Sequence, residues 1–144
     1  MKTYRVFFDA SVIIAALLSE SGGSALLFAY IKRKKIAGIT SQTAIEETLE
    51  GDKPKRINRS RQEVERFIVQ SGLIIRESIT LEEIIPYKNL VAVEDAHLIA
   101  GANLTRCLYL VTLDKKHLLR VDIQKRFLPL KIVSPKELLE EIIR

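Results

Sequence analysis

The feature that most constrains the fold of this chain is the alternation of short apolar runs with segments of helical periodicity. The short runs have the composition of buried strands; they lie at residues 4–8, 38–40, 73–75, 108–111 and 131–133. Helical spacing of apolar residues is found at residues 12–18, 25–35, 42–49, 61–70, 81–85 and 94–104, and a closing helix starts at Pro135. Because parallel strands need crossover connections, this order predicts an α/β fold: a central parallel sheet of about four or five short strands with helices on both faces.

Capping residues mark several predicted helix boundaries. Ser11 is placed to cap the helix over residues 12–18, and Ser41 to cap Gln42–Leu49, which the segment 51–54 then ends. Ser134 precedes Pro135, which fits the first position of the closing helix. These boundaries agree with the strand and helix order.

The composition excludes several classes of protein. Apolar residues make up 47% and charged residues 28% of the 144 positions, which is the balance of one globular domain over residues 1–144. The single cysteine, Cys107, excludes an intrachain disulfide and a zinc constellation. No run approaches the ~20 apolar residues of a membrane span and no signal-peptide pattern is present, so we expect a cytoplasmic protein without membrane contact. No glycine-rich phosphate-binding motif occurs.

Two acids directly follow predicted strands. Asp9 comes after the run at residues 4–8, and Asp114 comes after residues 110–113. The carboxyl ends of strands in an open parallel sheet form the crevice where ligands bind, so both side chains are expected at the same edge. The competing interpretation of either residue alone is a turn or helix-capping aspartate.

Asp95 is expected on the apolar side of its helix. Leu98, Ile99 and Ala102 follow it at helical spacing and place its carboxylate within the apolar stripe. A buried carboxylate needs a cation, hydrogen-bond donors or a raised pKa. The competing interpretation is that Asp95 caps the amides of its own first turn.

Glu46 and Glu47 are adjacent on the predicted helix over Gln42–Leu49. Helical spacing does not decide which of the two faces the crevice. Taken alone, such a pair is typical of a solvated helix face.

The motifs around these acids resemble those of the PIN domains, a family that includes the VapC-like toxin nucleases of bacterial and archaeal toxin-antitoxin pairs. The resemblance runs nearly end to end. Any one motif is weak evidence, but the order and spacing of the motifs together are fairly specific. The motifs are residues 7–13, residues 39–41 with Glu47 six residues after Ser41, residues 94–102, residues 110–114 and residues 132–139.

The resemblance implies a fold, a site and an activity. Asp9, Glu47, Asp95 and Asp114 match the family's acidic tetrad, which holds magnesium or manganese and is catalytic, and Ser11 and Thr112 match the hydroxyls that support it. The implied function is a metal-dependent endoribonuclease acting on single-stranded or structured RNA, the toxin of a type II toxin-antitoxin pair. Its implied partners are an RNA substrate, an antitoxin and a second copy in a homodimer. The alternatives are an RNA-processing PIN nuclease that is not a toxin, and a non-catalytic module that binds RNA or protein.

The chain departs from the family pattern at two places. Ala10 stands where threonine or serine is commoner, and Lys115 and Lys116 stand where a further acid is often found. The second departure bears on the number of metal ions that the site would bind, because the tetrad itself is complete.

Elementary electrostatics agrees with a metal site. Like charges ~5 Å apart repel by roughly 3 kcal/mol per pair at an effective dielectric of 20, so four ionised carboxylates cannot converge without a counter-ion. All-oxygen ligands favour Mg²⁺ or Mn²⁺ over zinc.

Basic residues are concentrated in two segments that would guide an RNA backbone. The net charge of +5 alone indicates only a mild preference for polyanions. The nucleic-acid-binding candidates are Lys53, Lys55, Arg56, Arg59 and Arg61, for which a solvated loop is the competing interpretation, together with Lys115 and Lys116. The two histidines, His97 and His117, are expected at the surface or at a helix end, with His117 placed to touch phosphate.

Overall fold

The computed structural model describes residues 3–50 and 57–143 and contains one five-stranded, wholly parallel sheet. The strand order is β3-β2-β1-β4-β5, so the first strand lies in the middle. The strands are β1 (Tyr4–Phe8), β2 (Ile36–Ser41), β3 (Ile74–Arg76), β4 (Tyr109–Val111) and β5 (Lys131–Val133). The predicted parallel α/β architecture is confirmed.

Eight α-helices and two 3₁₀ turns connect the strands in the described part of the chain. The 3₁₀ turns are Ile85–Tyr87 and Val93–Asp95. The helices are α1 (Ala10–Leu18), α2 (Gly23–Lys32), α3 (Gln42–Leu49), α4 (Arg61–Gln70), α5 (Leu81–Ile84), α6 (Ala96–Leu104), α7 (Val121–Arg126) and α8 (Pro135–Ile143).

The sheet separates two apolar cores because successive side chains of a strand point to opposite faces. Val6 and Phe8 of β1 contribute to one core, which α1, α2, α4 and α8 cover. Phe7 contributes to the other core, which α6 and α7 cover. Each core therefore fixes helices against one face of the same central strand.

Most predicted elements are found, with shifted ends. The bounds of α3 and α4 agree with the prediction, Ser41 accepts a hydrogen bond from the amide of Ala44 as the predicted cap, and Ser134 does the same for Glu137. The predicted cap at Ser11 is wrong, because α1 begins at Ala10 and Ser11 lies inside it. The short helix α7 was not predicted. The loop residues Lys53, Lys55 and Arg56 lie outside the described residues.

No single helix in the described ranges is long and apolar enough to cross a membrane, and the one bent pair that passes by length and composition, α1 with α2, meets at 98°.

Gly101 marks the closest packing of α6 against the sheet. A Cβ atom added there would lie 2.5 Å from Cζ and 2.8 Å from Cε2 of the fully buried Phe7. We expect Gly101→Ala to destabilise the protein by about 1–3 kcal/mol, because overpacking outweighs the higher helix propensity of alanine. Urea unfolding followed by circular dichroism measures this difference.

Gly23→Ala is the matched control, because the nearest atom to the added Cβ is 3.6 Å away, which is ordinary contact. Its stability should equal or exceed that of the parent. Equal stability of both variants would show that α6 does not pack on Phe7 as closely as described.

Candidate metal centre

Three neighbouring strands deliver acidic residues to one edge of the sheet. Asp9 directly follows β1, α3 with Glu47 directly follows β2, and Asp114 comes three residues after the end of β4. The strand order reverses at β1, since β2 and β3 lie on one side of it and β4 and β5 on the other. Open parallel sheets form ligand crevices at the carboxyl ends of strands beside such a reversal.

Asp9 is buried and held by two hydroxyl groups. Its Oδ2 atom accepts hydrogen bonds from Oγ1 of Thr112 at 2.7 Å and from Oγ of Ser11 at 3.0 Å. The Ser11 hydroxyl in turn accepts from the amide of Leu113 at 3.2 Å, which joins α1 to the segment after β4. Burial raises the pKa of Asp9 and the charge of Glu47 adds to this, while the bonds from Thr112 and Ser11 oppose it. Ser11 and Thr112 are therefore placed to orient this carboxylate.

Asp95 and Asp114 form a compact group with His117. One potential ligand atom from each of the three residues lies within 4.8 Å of the other two. The pKa of Asp95 is raised to about 6, first by burial and then by the charges of Asp114 and Asp9. Asp9 and Glu47 lie outside this compact group. The charge of Asp9 raises the pKa of Asp95, and the charge of Glu47 raises the pKa of Asp9.

The surroundings of Asp95 differ from both interpretations of its sequence. Asp95 ends the 3₁₀ turn before α6 and is half-buried, whereas the buried face of α6 begins at Ala96. It therefore lies one residue before the buried stripe and not within it, although burial is still the main cause of its raised pKa. Its side chain also makes no capping hydrogen bond to α6 among the described residues. The carboxylate is directed by neither core packing nor capping.

Glu47, and not Glu46, is the partly buried member of the pair on α3. Glu46 is exposed, whereas Glu47 is close enough to Asp9 to raise its pKa. Oε1 of Glu47 lies 3.0 Å from Nε2 of His97. The structure thereby distinguishes two residues that helical spacing left equivalent.

The two histidines lie beside the acids, which sequence reasoning missed. His97 is 6% exposed and is the second residue of α6, so of the two expected positions it takes the helix end and not the surface. His117 is exposed as expected, but its Nδ1 atom lies 3.3 Å from Oδ1 of Asp114, and its amide donates to the same oxygen at 3.1 Å. The only signal for His117 in the sequence is its position three residues after Asp114.

The predicted basic residues fall into different surroundings. Lys115 and Lys116 are exposed directly after Asp114. Arg61 is exposed on α4 and forms an ion pair with Glu65 at 3.0 Å, while Arg59 donates to the backbone of Asn58. Lys115 and Lys116 are thus the described cations nearest to the acids along the chain.

The donor set fits a divalent cation that prefers oxygen ligands. Asp95 and Asp114 offer carboxylate oxygens, and His117 offers one imidazole nitrogen, which Mn²⁺ tolerates better than Mg²⁺. Burial, and after it the charges of neighbouring acids, raises the pKa of Asp95 and of Asp9, so their ionised forms need a compensating positive charge. A cation would supply that compensation.

We expect Asp95→Asn to stabilise the metal-free protein at neutral pH. The folded-state pKa of about 6 lies above the ordinary 3.8, so the folded protein keeps a proton that the unfolded chain has lost, and stability falls as pH rises between about 4 and 6. The variant should lack this fall and gain about 1 kcal/mol at pH 7, since solvent screens a half-buried charge. Urea unfolding in chelator from pH 4 to 7 measures the difference.

Asp122→Asn, at an exposed position of α7, is the control and should follow the pH profile of the parent. Greater stability of the parent than of Asp95→Asn at every pH would instead identify Asp95 as a structural cap.

Comparison with known proteins identifies the family of this chain. A family model described as PIN domain matches residues 5–116, which is more than half of the chain and includes all four acids. No curated protein matches the chain. PIN domains are generally nucleases, and they typically bind divalent metal ions. With this match, a parallel sheet and an acidic edge beside its central strand, the chain belongs to the PIN-domain family.

Proposed function

We propose that the chain is an endoribonuclease that hydrolyses phosphodiester bonds of RNA with Mg²⁺ or Mn²⁺, and that it prefers single-stranded RNA. The observation that supports this most is the convergence of Asp9, Asp95 and Asp114, where burial first, and then the charges of Asp114 and Asp9, raise the pKa of Asp95 to about 6. Burial and mutual repulsion both disfavour the ionised carboxylates, and a bound cation would offset that cost.

Asp95 and Asp114 would hold the cation, with His117 beside them and with Asp9 and Glu47 completing the negative surroundings. What a divalent cation supplies to such hydrolysis is a bound water of lowered pKa and neutralisation of charge on the phosphate. No side-chain nucleophile is then needed.

The chain's own residues orient the acids. Thr112 and Ser11 both donate to Oδ2 of Asp9, which fixes the rotation of that carboxylate. The amide of His117 donates to Oδ1 of Asp114, and the amide of Asp114 donates to the Thr112 hydroxyl at 3.1 Å. One hydrogen-bonded chain therefore connects Asp9 with Asp114 through Thr112, so the two acids keep a defined relation without a ligand.

RNA would be held by cations next to the acids. Lys115 and Lys116 are exposed and adjoin Asp114, so a phosphate at the site would be within reach of their flexible side chains. Arg59 and Arg61 are further candidates, although Glu65 already pairs with Arg61. Lys53, Lys55 and Arg56 share the same basic segment of the sequence.

The biological role follows from the resemblance and is part of the proposal. We propose a cytoplasmic toxin of a type II toxin-antitoxin pair, a single domain over residues 1–144, which forms a homodimer and is inhibited by a cognate antitoxin. An adjacent open reading frame that encodes a small protein with a DNA-binding N-terminus would support the pair. Its absence would favour an RNA-processing role for the same site.

We expect the purified protein to cleave labelled single-stranded RNA with Mg²⁺ or Mn²⁺ and to stop in chelator. Asp114→Asn should lower the rate about 100-fold or more, which is roughly 2.7 kcal/mol in the barrier. Excess Mg²⁺ should stabilise the parent by about 2.7 kcal/mol at a hundredfold excess over Kd, and Asp114→Asn should lose most of this gain. Gel assays and thermal melts measure the two effects.

Asp122→Asn is again the control and should cleave at the parent rate. Cleavage that survives chelation, or that requires zinc, would contradict the mechanism. RNA binding without cleavage in any metal would instead favour a non-catalytic module.

The role of the two lysines is tested by the salt dependence of RNA binding. Replacing Lys115 and Lys116 with alanine should weaken binding and reduce the slope of log K against log salt by about 1.4, because each lost phosphate contact on a single strand removes about 0.7. The control replaces Lys34 and Lys35, which are exposed before β2 at the opposite edge of the sheet and remove the same charge. Equal slopes for both double variants would exclude Lys115 and Lys116 as specific RNA contacts.

A further inference from the structure

A buried histidine contacts the one predicted metal ligand that is carried by a helix body. His97 lies on α6, two residues after Asp95, and is 6% exposed. Its Nε2 atom lies 3.0 Å from Oε1 of Glu47 on α3. The contact therefore joins the helix that follows Asp95 to the helix that carries Glu47.

The contact is not required for packing alone. Oε1 of Glu47 and Nδ1 of His97 are both buried without a hydrogen-bond partner among the described residues, and the two facing atoms are at ion-pair distance without hydrogen-bond alignment. An apolar residue at position 97 would remove the unsatisfied Nδ1 atom but would leave Oε1 of Glu47 buried without a facing polar atom. A polar pair that costs stability in the core is expected where it serves a site.

The two oxygens of the Glu47 carboxylate have different surroundings. Oε1 is buried against His97, whereas the whole side chain is 32% exposed, so the exposure belongs to its other atoms. The charge of Glu47 also acts on Asp9. A contact that holds Oε1 against His97 would leave the second oxygen available to the acidic edge.

We propose that His97 is the positioning residue for Glu47: Nε2 carries the proton, faces Oε1, and holds the carboxylate in the rotation in which its second oxygen serves the metal centre. The proposal rests on the proposed metal-dependent function. Outer hydrogen-bond partners of ligating carboxylates set metal affinity in this way. Alignment of the bond would follow when a cation draws the second oxygen, as active-site hydrogen bonds often tighten only when the site is occupied.

Two substitutions separate positioning from packing. His97→Leu replaces the imidazole with an apolar side chain of similar reach and so removes the Nε2–H donor. His97→Gln places an amide N–H near the position of Nε2. Calorimetric titration with Mn²⁺ should show Kd raised about 10-fold or more in His97→Leu and largely restored in His97→Gln. In RNA cleavage, the metal concentration for half-maximal rate should rise in parallel.

Two further variants complete the design. In the Glu47→Gln background, His97→Leu should raise Kd no further, because the two residues act as one unit. Asn103→Ala removes a hydrogen bond at 2.9 Å from α6 to the hydroxyl of Tyr87 and should leave Kd unchanged, which controls for loosening of the same helix. Thermal melts in chelator identify any variant that fails to fold, and His97→Gln with the Glu47→Gln cycle then decides the question.

The outcomes distinguish this inference from the proposed function. A parent that binds no Mn²⁺ and cleaves no RNA overturns both. A parent that binds and cleaves, together with His97→Leu of unchanged Kd or with additive losses in the double variant, overturns the positioning role alone.

Discussion

The parallel pairing of β1 with β2 on one side and β4 on the other is the constraint on which the rest of the structure depends. Phe7 is paired with Ile39 and Phe8 with Val111, so the residues that follow these strands start at the same height. Asp9 therefore meets the Thr112 hydroxyl directly beyond the last pair. The acidic edge is a consequence of strand register, which the two cores on opposite faces maintain.

Burial and hydrogen bonding act against each other at this edge. Thr112 and Ser11 stabilise ionised Asp9, but burial outweighs them and raises its pKa. Asp95 has no comparable donors in the described structure, and like charges add to its burial. The site thus stores an electrostatic cost in its metal-free form, which a fold would not retain for stability alone. Such opposition is typical of sites that bind a cation.

The sequence was sufficient for the architecture and for the two acids that follow strands, Asp9 and Asp114, and insufficient wherever tertiary contacts decide. Strand and helix periods predicted the parallel sheet, and Ser41 predicted the start of α3. The side of α3 that faces Asp9 depends on how α3 docks, so spacing could not separate Glu46 from Glu47. His97 was expected at the surface or at a helix end, and its burial was not predicted, because residues 96–102 are all buried and such a helix has no polar face to predict. The helix α7 has six residues with only Ile123 buried, too few to show a period.

The contact of Gly101 with Phe7 connects the core to the reactive edge. Because Gly101 has no side chain, only the ring of Phe7 lies between α6 and β1 there, and its size sets the distance of α6 from the sheet. Asp95 directly precedes the first turn of α6. A change of volume in the core would therefore move Asp95 relative to Asp114 without altering any acid. Relatives that differ in the size of this ring or in the residue that faces it would differ in the distance between Asp95 and Asp114, so the packing of the core would set the geometry of the acidic edge.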